Sequence, residues 1–303
     1  GTLPKLTVHG THAFAMYFSN VVAALLLISS ASAFNSTSIV DEQKIVVAGD
    51  SWGTVLAGGS ALGISYLERA LRGHSCPSNV QNIAIPGTTA TEWSDPDGNY
   101  LSTLVKAAAG ADHVWITLMG NDALEQMPSC ARTGKSSSEC GDQLYDDMVD
   151  KMGQIVDAVH EANEDAKVVG MGYEMMFGGA GCGVIAADLF PQCWIGEEKS
   201  DQSSIRCFNT QVLRMQGVWD ELASTRDFLT SINLLGLTQA ADGDEEASIG
   251  QPNLDKLGPH WAWPDYEGCI HPGILPHGDA KLSAAEMLME EMYNQYWSEA
   301  YSC

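Results

Sequence analysis

The chain has 303 residues, enough for one large α/β domain, and no low-complexity linker divides it. Its 15 basic and 39 acidic residues leave a net charge of −24. A field of that sign repels phosphate backbones and anionic lipid head groups, which argues against nucleic acid as a partner.

Taken in chain order, the first signal is a processing segment. Following Met16, the apolar run Val21–Ile28 is too short to span a bilayer and leads into Ala31-Ser32-Ala33, a small-x-small cleavage pattern. Residues 1–33 therefore read as an upstream extension plus a signal peptide cleaved after Ala33, and 34–303 as a single domain. Met16–Asn20 lacks the usual Lys or Arg, and a buried helix is the competing reading for 21–31. No later stretch is apolar for long enough to be a stable membrane anchor, so the expected location is secreted or an endomembrane lumen. The eight cysteines fit an oxidising compartment, as does the Asn35-Ser36-Thr37 sequon. None forms a Cys-x-x-Cys pair and no histidine cluster accompanies them, so no metal site is expected. Cys130–Cys140 and Cys182–Cys193 are each spaced to close a local loop, although spacing does not fix connectivity.

The first strand is Ile45-Val46-Val47-Ala48, a β-branched run that stops at Gly49-Asp50-Ser51. The apolar spacing of Leu56, Leu62, Ile64, Tyr66, Leu67 and Leu71 then predicts a helix, so Ser51 falls where a buried strand hands over to a helix. Further strands are expected at 80–85, 113–119, 167–171 and 232–237, with helices at 141–164, 211–222 and 280–297. Residues 174–210, with two close cysteines, read as a disulfide-tied insertion, and Asp242–Glu246 as a solvated acidic loop. Strands alternating with helices predict an α/β fold: a three-layer α/β/α sandwich around a five-stranded parallel sheet. Three strands end in polar or glycine-containing turns, Gly49-Asp50-Ser51, Pro86-Gly87-Thr88 and Gly120-Asn121-Asp122. All three turns would line one crevice at the carboxyl ends of the strands. Serine and aspartate at such a turn are also ordinary helix caps, so it is the repetition that points to a site.

Those turns, together with Ile270-His271-Pro272, resemble the SGNH (GDSL-type) hydrolase superfamily, a flavodoxin-like fold. Four short blocks match in order over roughly 44–285: Gly49-Asp50-Ser51, the isolated Gly87, Gly120-Asn121-Asp122 in shortened form or else Met119-Gly120-Asn121-Asp122 as the four-residue unit, and His271-Pro272. The resemblance implies Ser51 as nucleophile and His271 as its base, with the amides of Ser51 and Gly87 and the side chain of Asn121 as the oxyanion hole. The chemistry needs these groups together. Serine attacks poorly until a neutral imidazole takes its proton, and the tetrahedral intermediate needs fixed donors at its oxyanion.

One position departs from the family pattern. Where an aspartate usually stands three residues before the histidine, this chain has Gly268. Asp265 is the preferred substitute for orienting His271, with Glu267 or a backbone carbonyl as alternatives. His277 is the second choice of base. Trp261 and Trp263, beside His260, are candidate substrate contacts, although such tryptophans are more often packing residues. Asp50 and Asp122 read as turn-stabilising.

The resulting expectation is a secreted serine esterase or lipase-type hydrolase with no metal or organic cofactor. Its substrate would be a small-molecule, lipid or carbohydrate ester. Competing readings are a catalytically impaired binding protein of the same fold, an acyltransferase using the same site, and a flavodoxin-like ligand-binding domain. The last lacks a Gly-x-Gly-x-x-Gly turn after the first strand.

Overall fold

Apolar β-branched segments such as Ile45–Val47 and Val114–Ile116 can be buried on both faces only inside a sheet covered on both sides. The computed structural model, which describes residues 42–58, 65–175, 193, 202–258, 271–272 and 282–301, has that arrangement. Five parallel strands, β1 (Gln43–Gly49), β2 (Ser78–Asn82), β3 (His113–Thr117), β4 (Lys167–Met171) and β5 (Leu229–Ile232), form a sheet of order β2-β1-β3-β4-β5. Helices α1 (Ser51–Ala57), α2 (Tyr66–Gly73) and α9 (Ala284–Met292) pack together on one side. Helices α3 (Ala90–Ser94), α4 (Asn99–Ala108), α5 (Gly120–Ala131), α6 (Ser137–Ala162) and α7 (Gln202–Ser224) form the opposite layer around α6. A short helix α8 (Leu237–Ala241) follows β5. The fold is thus the expected three-layer sandwich. Chain order reverses between β1 and β3, and their register sets Gly49 opposite Thr117, so both strands end level at one crevice.

Several boundaries differ from the sequence reading, each for a local reason. The helix expected after Ser51 is two: α1 stops at Gly58 in the left-handed region (φ 72°), and α2 starts at a new cap, Ser65, whose hydroxyl accepts from Glu68 N–H at 3.1 Å. Strand β2 lies earlier than 80–85 and is a half-exposed edge rather than a buried strand. The chain beyond it still tracks β1, with Ile83 N–H to Val47 O and Ile85 N–H to Gly49 O, both 2.8 Å. Strand β5 spans 229–232 instead of 232–237. Leu234 and Leu235 are buried in a turn closed by Gly236 (φ 82°), and an apolar run alone does not separate those outcomes. Helix α7 begins at Gln202, so the segment read as a 174–210 insertion already contains helix, and α4 and α5 had no counterpart in the sequence reading. The helix expected over 280–297 starts at Ala284, behind a Ser283–Glu286 capping box, and continues from α9 through one π turn, Tyr293–Trp297.

Cys130–Cys140 is a disulfide as its spacing suggested, whereas Cys193 pairs with Cys207 and not with Cys182. Cys207 lies on α7, and this bridge therefore ties Cys193 to a packed helix. No helix among the described residues is long and apolar enough to cross a membrane. The signal-peptide segment and the Asn35 sequon lie outside the described residues.

Candidate active site

The site begins with the way β1 ends. Gly49 has φ +134°, and a Cβ there would stand 1.9 Å from the Thr117 carbonyl oxygen, so only glycine lets β1 close on β3 and turn away. Asp50 N–H then bonds Thr117 O at 2.9 Å, while the Asp50 carboxylate caps α1 by accepting Trp52 N–H at 3.0 Å. Ser51 is the first residue of α1, and its Oγ lies 2.7 Å from Nε2 of His271, a buried ring. Residues 220 positions apart in sequence thus form a hydroxyl–imidazole pair at a helix N-terminus.

The second turn carries Gly87, at φ +83°, where a Cβ would meet nothing within 4 Å. The third turn holds it in place. Asn121, near the start of α5, donates from Nδ2 to Thr88 O at 2.8 Å. Asp122 accepts Ala90 N–H at 2.7 Å, Thr91 N–H at 3.2 Å and the Thr91 hydroxyl at 3.1 Å, which fixes the start of α3. Burial pushes the Asp122 pKa up against these donors. Asp50 and Asp122 are both buried and both hold turns, in line with the sequence reading.

Ser51, Asn121 and His271 line one cleft of about 550 Å³, open to solvent. Gly87 does not line it; it sits exposed beside the cleft, one residue from the carbonyl that Asn121 grips. Asp265, Glu267, Gly268, Trp261, Trp263, His260 and His277 lie outside the described residues. Among the described residues, no group of three or more His, Cys, Asp and Glu side chains is placed to share a metal ion.

The sequence reading missed three features of the cleft. Tyr173 hydrogen-bonds Asp50 through its hydroxyl and accepts Gly120 N–H at 2.7 Å. Burial lifts the Asp50 pKa to about 7, even though the Tyr173 and Trp52 donors favour its charged form. Glu174, fully buried, accepts Met175 N–H and Gly236 N–H at 2.7 Å and Thr238 N–H at 3.0 Å, and burial lifts its pKa to about 7 as well. An apolar wall from Ala123 and Leu124 on α5 and Phe208, Val212 and Met215 on α7 faces the Ser51 side. A signal for Tyr173 was present: it follows β4 at the same sheet edge as the other turns. The wall had none, since its α7 residues fell partly in a segment with little periodicity.

No protein-family model matches the sequence, and no curated protein is significantly similar to it. Solved structures do match. A lipase from a goat rumen metagenome is 12% identical with a TM-score of 0.51, over 84% of this chain and 98% of that one. The chain shares the fold of that lipase, a flavodoxin-like α/β sandwich. Also similar are an extracellular lipase from Streptomyces rimosus (18% identity, TM-score 0.47, 81% of this chain and 98% of that one) and a member of the lipolytic G-D-S-L family from Veillonella parvula (12%, 0.42, 84% and 98%). The turns at Ser51, Gly87 and Asn121 follow β1, β2 and β3 at the carboxyl edge of the sheet, where the strand pattern set them.

Proposed function

We propose that the protein is a carboxylic ester hydrolase that works through an acyl-Ser51 intermediate. The observation that carries this reading is the 2.7 Å contact between Ser51 Oγ and His271 Nε2, in the cleft that Asn121 also lines. His271 takes the Ser51 proton as Oγ attacks the ester carbonyl. The oxyanion is met by the amides of Ser51 and Gly87 and by the free N–H of the Asn121 amide. Collapse of the intermediate expels the alkoxide, which receives the proton from His271, leaving the acyl group on Ser51. Water, deprotonated by His271, then attacks that ester, and its proton returns to Ser51 as the acid departs.

Asp265 is the candidate carboxylate for orienting His271. Trp261 and Trp263 are candidate contacts for the alcohol or acyl part of the substrate. The uncharged wall of Ala123, Leu124, Phe208, Val212 and Met215 supports an aliphatic acyl group rather than a charged one. The cleavage pattern at Ala31-Ser32-Ala33 and the disulfides support a secreted or lumenal protein.

The test is turnover of p-nitrophenyl esters from acetyl to palmitoyl by wild type, Ser51→Ala and His271→Ala, with fluorophosphonate labelling alongside. Wild type is expected to be labelled and active, and both variants to fall to background. A wild type that hydrolyses no ester and takes no label would leave the fold with a binding role instead.

A further inference from the structure

The Asn121 turn is unusual in its backbone. Met119, immediately before α5, is fully buried with φ +97°, a conformation that non-glycine residues rarely adopt, and it caps the helix with no side-chain hydrogen bond. Such a residue persists only where neighbours hold it. The group that holds this turn from the sheet side is Tyr173. Its oxygen accepts Gly120 N–H at 2.7 Å, the amide directly after Met119, and its hydroxyl donates to Asp50 Oδ2. The ring is packed edge-on to Trp52, with centroids 5.2 Å apart and planes at 89°. A Cβ on Gly120 would meet the Tyr173 ring and hydroxyl at 2.9 Å, so glycine is what lets the phenol reach the backbone. Burial, with the Asp50 charge beside it, pushes the phenol's pKa well up, and the group remains a donor across the working range.

One phenol thus bridges the residue before the nucleophile and the residue before the oxyanion donor. We propose that Tyr173 is a positioning residue for ester hydrolysis: its hydroxyl clamps the β1 and β3 turns together and so sets Asn121 at the right distance from Ser51. The inference rests on the ester-hydrolase reading and goes beyond it: the hydroxyl of Tyr173 is engaged by Asp50 and Gly120, so its part is to place the groups that react. Asn121 cannot set its own place. Its one bond among the described residues, to Thr88 O, ties it to the Gly87 turn. Beyond the β1–β3 ladder and the Asp50 N–H to Thr117 O bond, the side-chain link between its turn and that of Ser51 is the Asp50–Tyr173–Gly120 bridge.

The experiment is a double-mutant cycle on p-nitrophenyl butyrate with Tyr173→Phe and Asn121→Ala. Tyr173→Phe keeps the ring and removes both hydroxyl bonds; kcat is expected to fall on the order of tenfold or more, with KM within twofold, because misplacing a positioned group costs transition-state rather than ground-state binding. In the Asn121→Ala background the same change is expected to lower kcat by less than twofold, since there is no longer a donor to place. Asp50→Asn, which keeps the acceptor for Trp52 N–H and disrupts the bridge from the other end, is expected to show the same dependence on Asn121 and serves if Tyr173→Phe does not fold. A labelled, active wild type whose losses from Tyr173→Phe and Asn121→Ala multiply, or whose kcat is within twofold after Tyr173→Phe, overturns the clamp alone. A wild type that is neither labelled nor active overturns both readings.

Discussion

Asn121 offers the sharpest test of the oxyanion assignment, because its amide has two N–H groups with different tasks. One is committed to Thr88 O at 2.8 Å, and the other is free to meet a developing oxyanion. Asn121→Ala removes both. The structural loss is one hydrogen bond, about 1 kcal/mol, on a domain whose stability is of order 5–15 kcal/mol; more than 99% of the molecules, roughly, would stay folded. The catalytic loss is that of one oxyanion donor, about 10²- to 10³-fold in kcat, or roughly 3–4 kcal/mol. The rate effect therefore far exceeds anything unfolding contributes. Asn121→Asp sets an acceptor against Thr88 O and a negative charge beside the oxyanion, so it is expected to fall below the alanine variant in both stability and kcat. Steady-state kinetics on p-nitrophenyl butyrate, with urea unfolding of the same preparations, measures both quantities. If Asn121→Ala keeps kcat within tenfold of wild type, or raises KM while leaving kcat intact, Asn121 is not an oxyanion donor.

Three further outcomes follow from the geometry. Gly49→Ala places a Cβ 1.9 Å from the Thr117 carbonyl at a φ of +134°, so it is expected to destabilise the fold by about 3 kcal/mol or more, read as a lowered urea midpoint; an unchanged midpoint contradicts the close approach of β1 and β3. Met215→Trp fills part of the apolar wall and is expected to shift the ester chain-length optimum downward while leaving acetyl ester turnover near wild type; an unchanged optimum places the acyl chain elsewhere. For Glu174, burial raises the folded pKa to about 7 from 4.5, so its protonated form contributes stability that is present below about pH 4.5 and is lost as pH rises to about 7. That loss amounts to roughly 3 kcal/mol, against which Glu174→Gln is immune. The stability of the variant relative to wild type should thus rise by about that much from pH 5 to pH 8. Comparing the two proteins removes the opposing contribution of His113, whose pKa burial lowers to about 4. A difference that is flat or falls with pH refutes the argument.

The readable parts of the sequence were those where one physical demand dominates. Ile45–Ala48, Val114–Ile116 and Val168–Val169 are apolar because both faces of the sheet are covered, and the three strands lie where the pattern put them. Helix α6 carries its apolar stripe at 3.6-residue spacing and opens with a Ser136–Glu139 capping box. The misreadings occur where two demands compete. Leu234 and Leu235 are buried in a turn instead of a strand, and Cys193 bonds across to α7 when its nearer neighbour in sequence was Cys182.

For the candidate site, the sequence alone offered the residue types: a serine, a glycine and an asparagine on turns after strands, and a histidine far along the chain. Backbone needs confined to short segments dictate them, such as the φ of +134° at Gly49, and those needs are legible in Gly-Asp-Ser or Gly-Asn-Asp. Tertiary structure decided the rest. Only folding brings His271 to 2.7 Å from Ser51, lifts Asp50 and Glu174 to about 7 by burying them, and sets Tyr173 between two turns. These are properties of distance and desolvation between segments far apart in the chain, and no local pattern carries them.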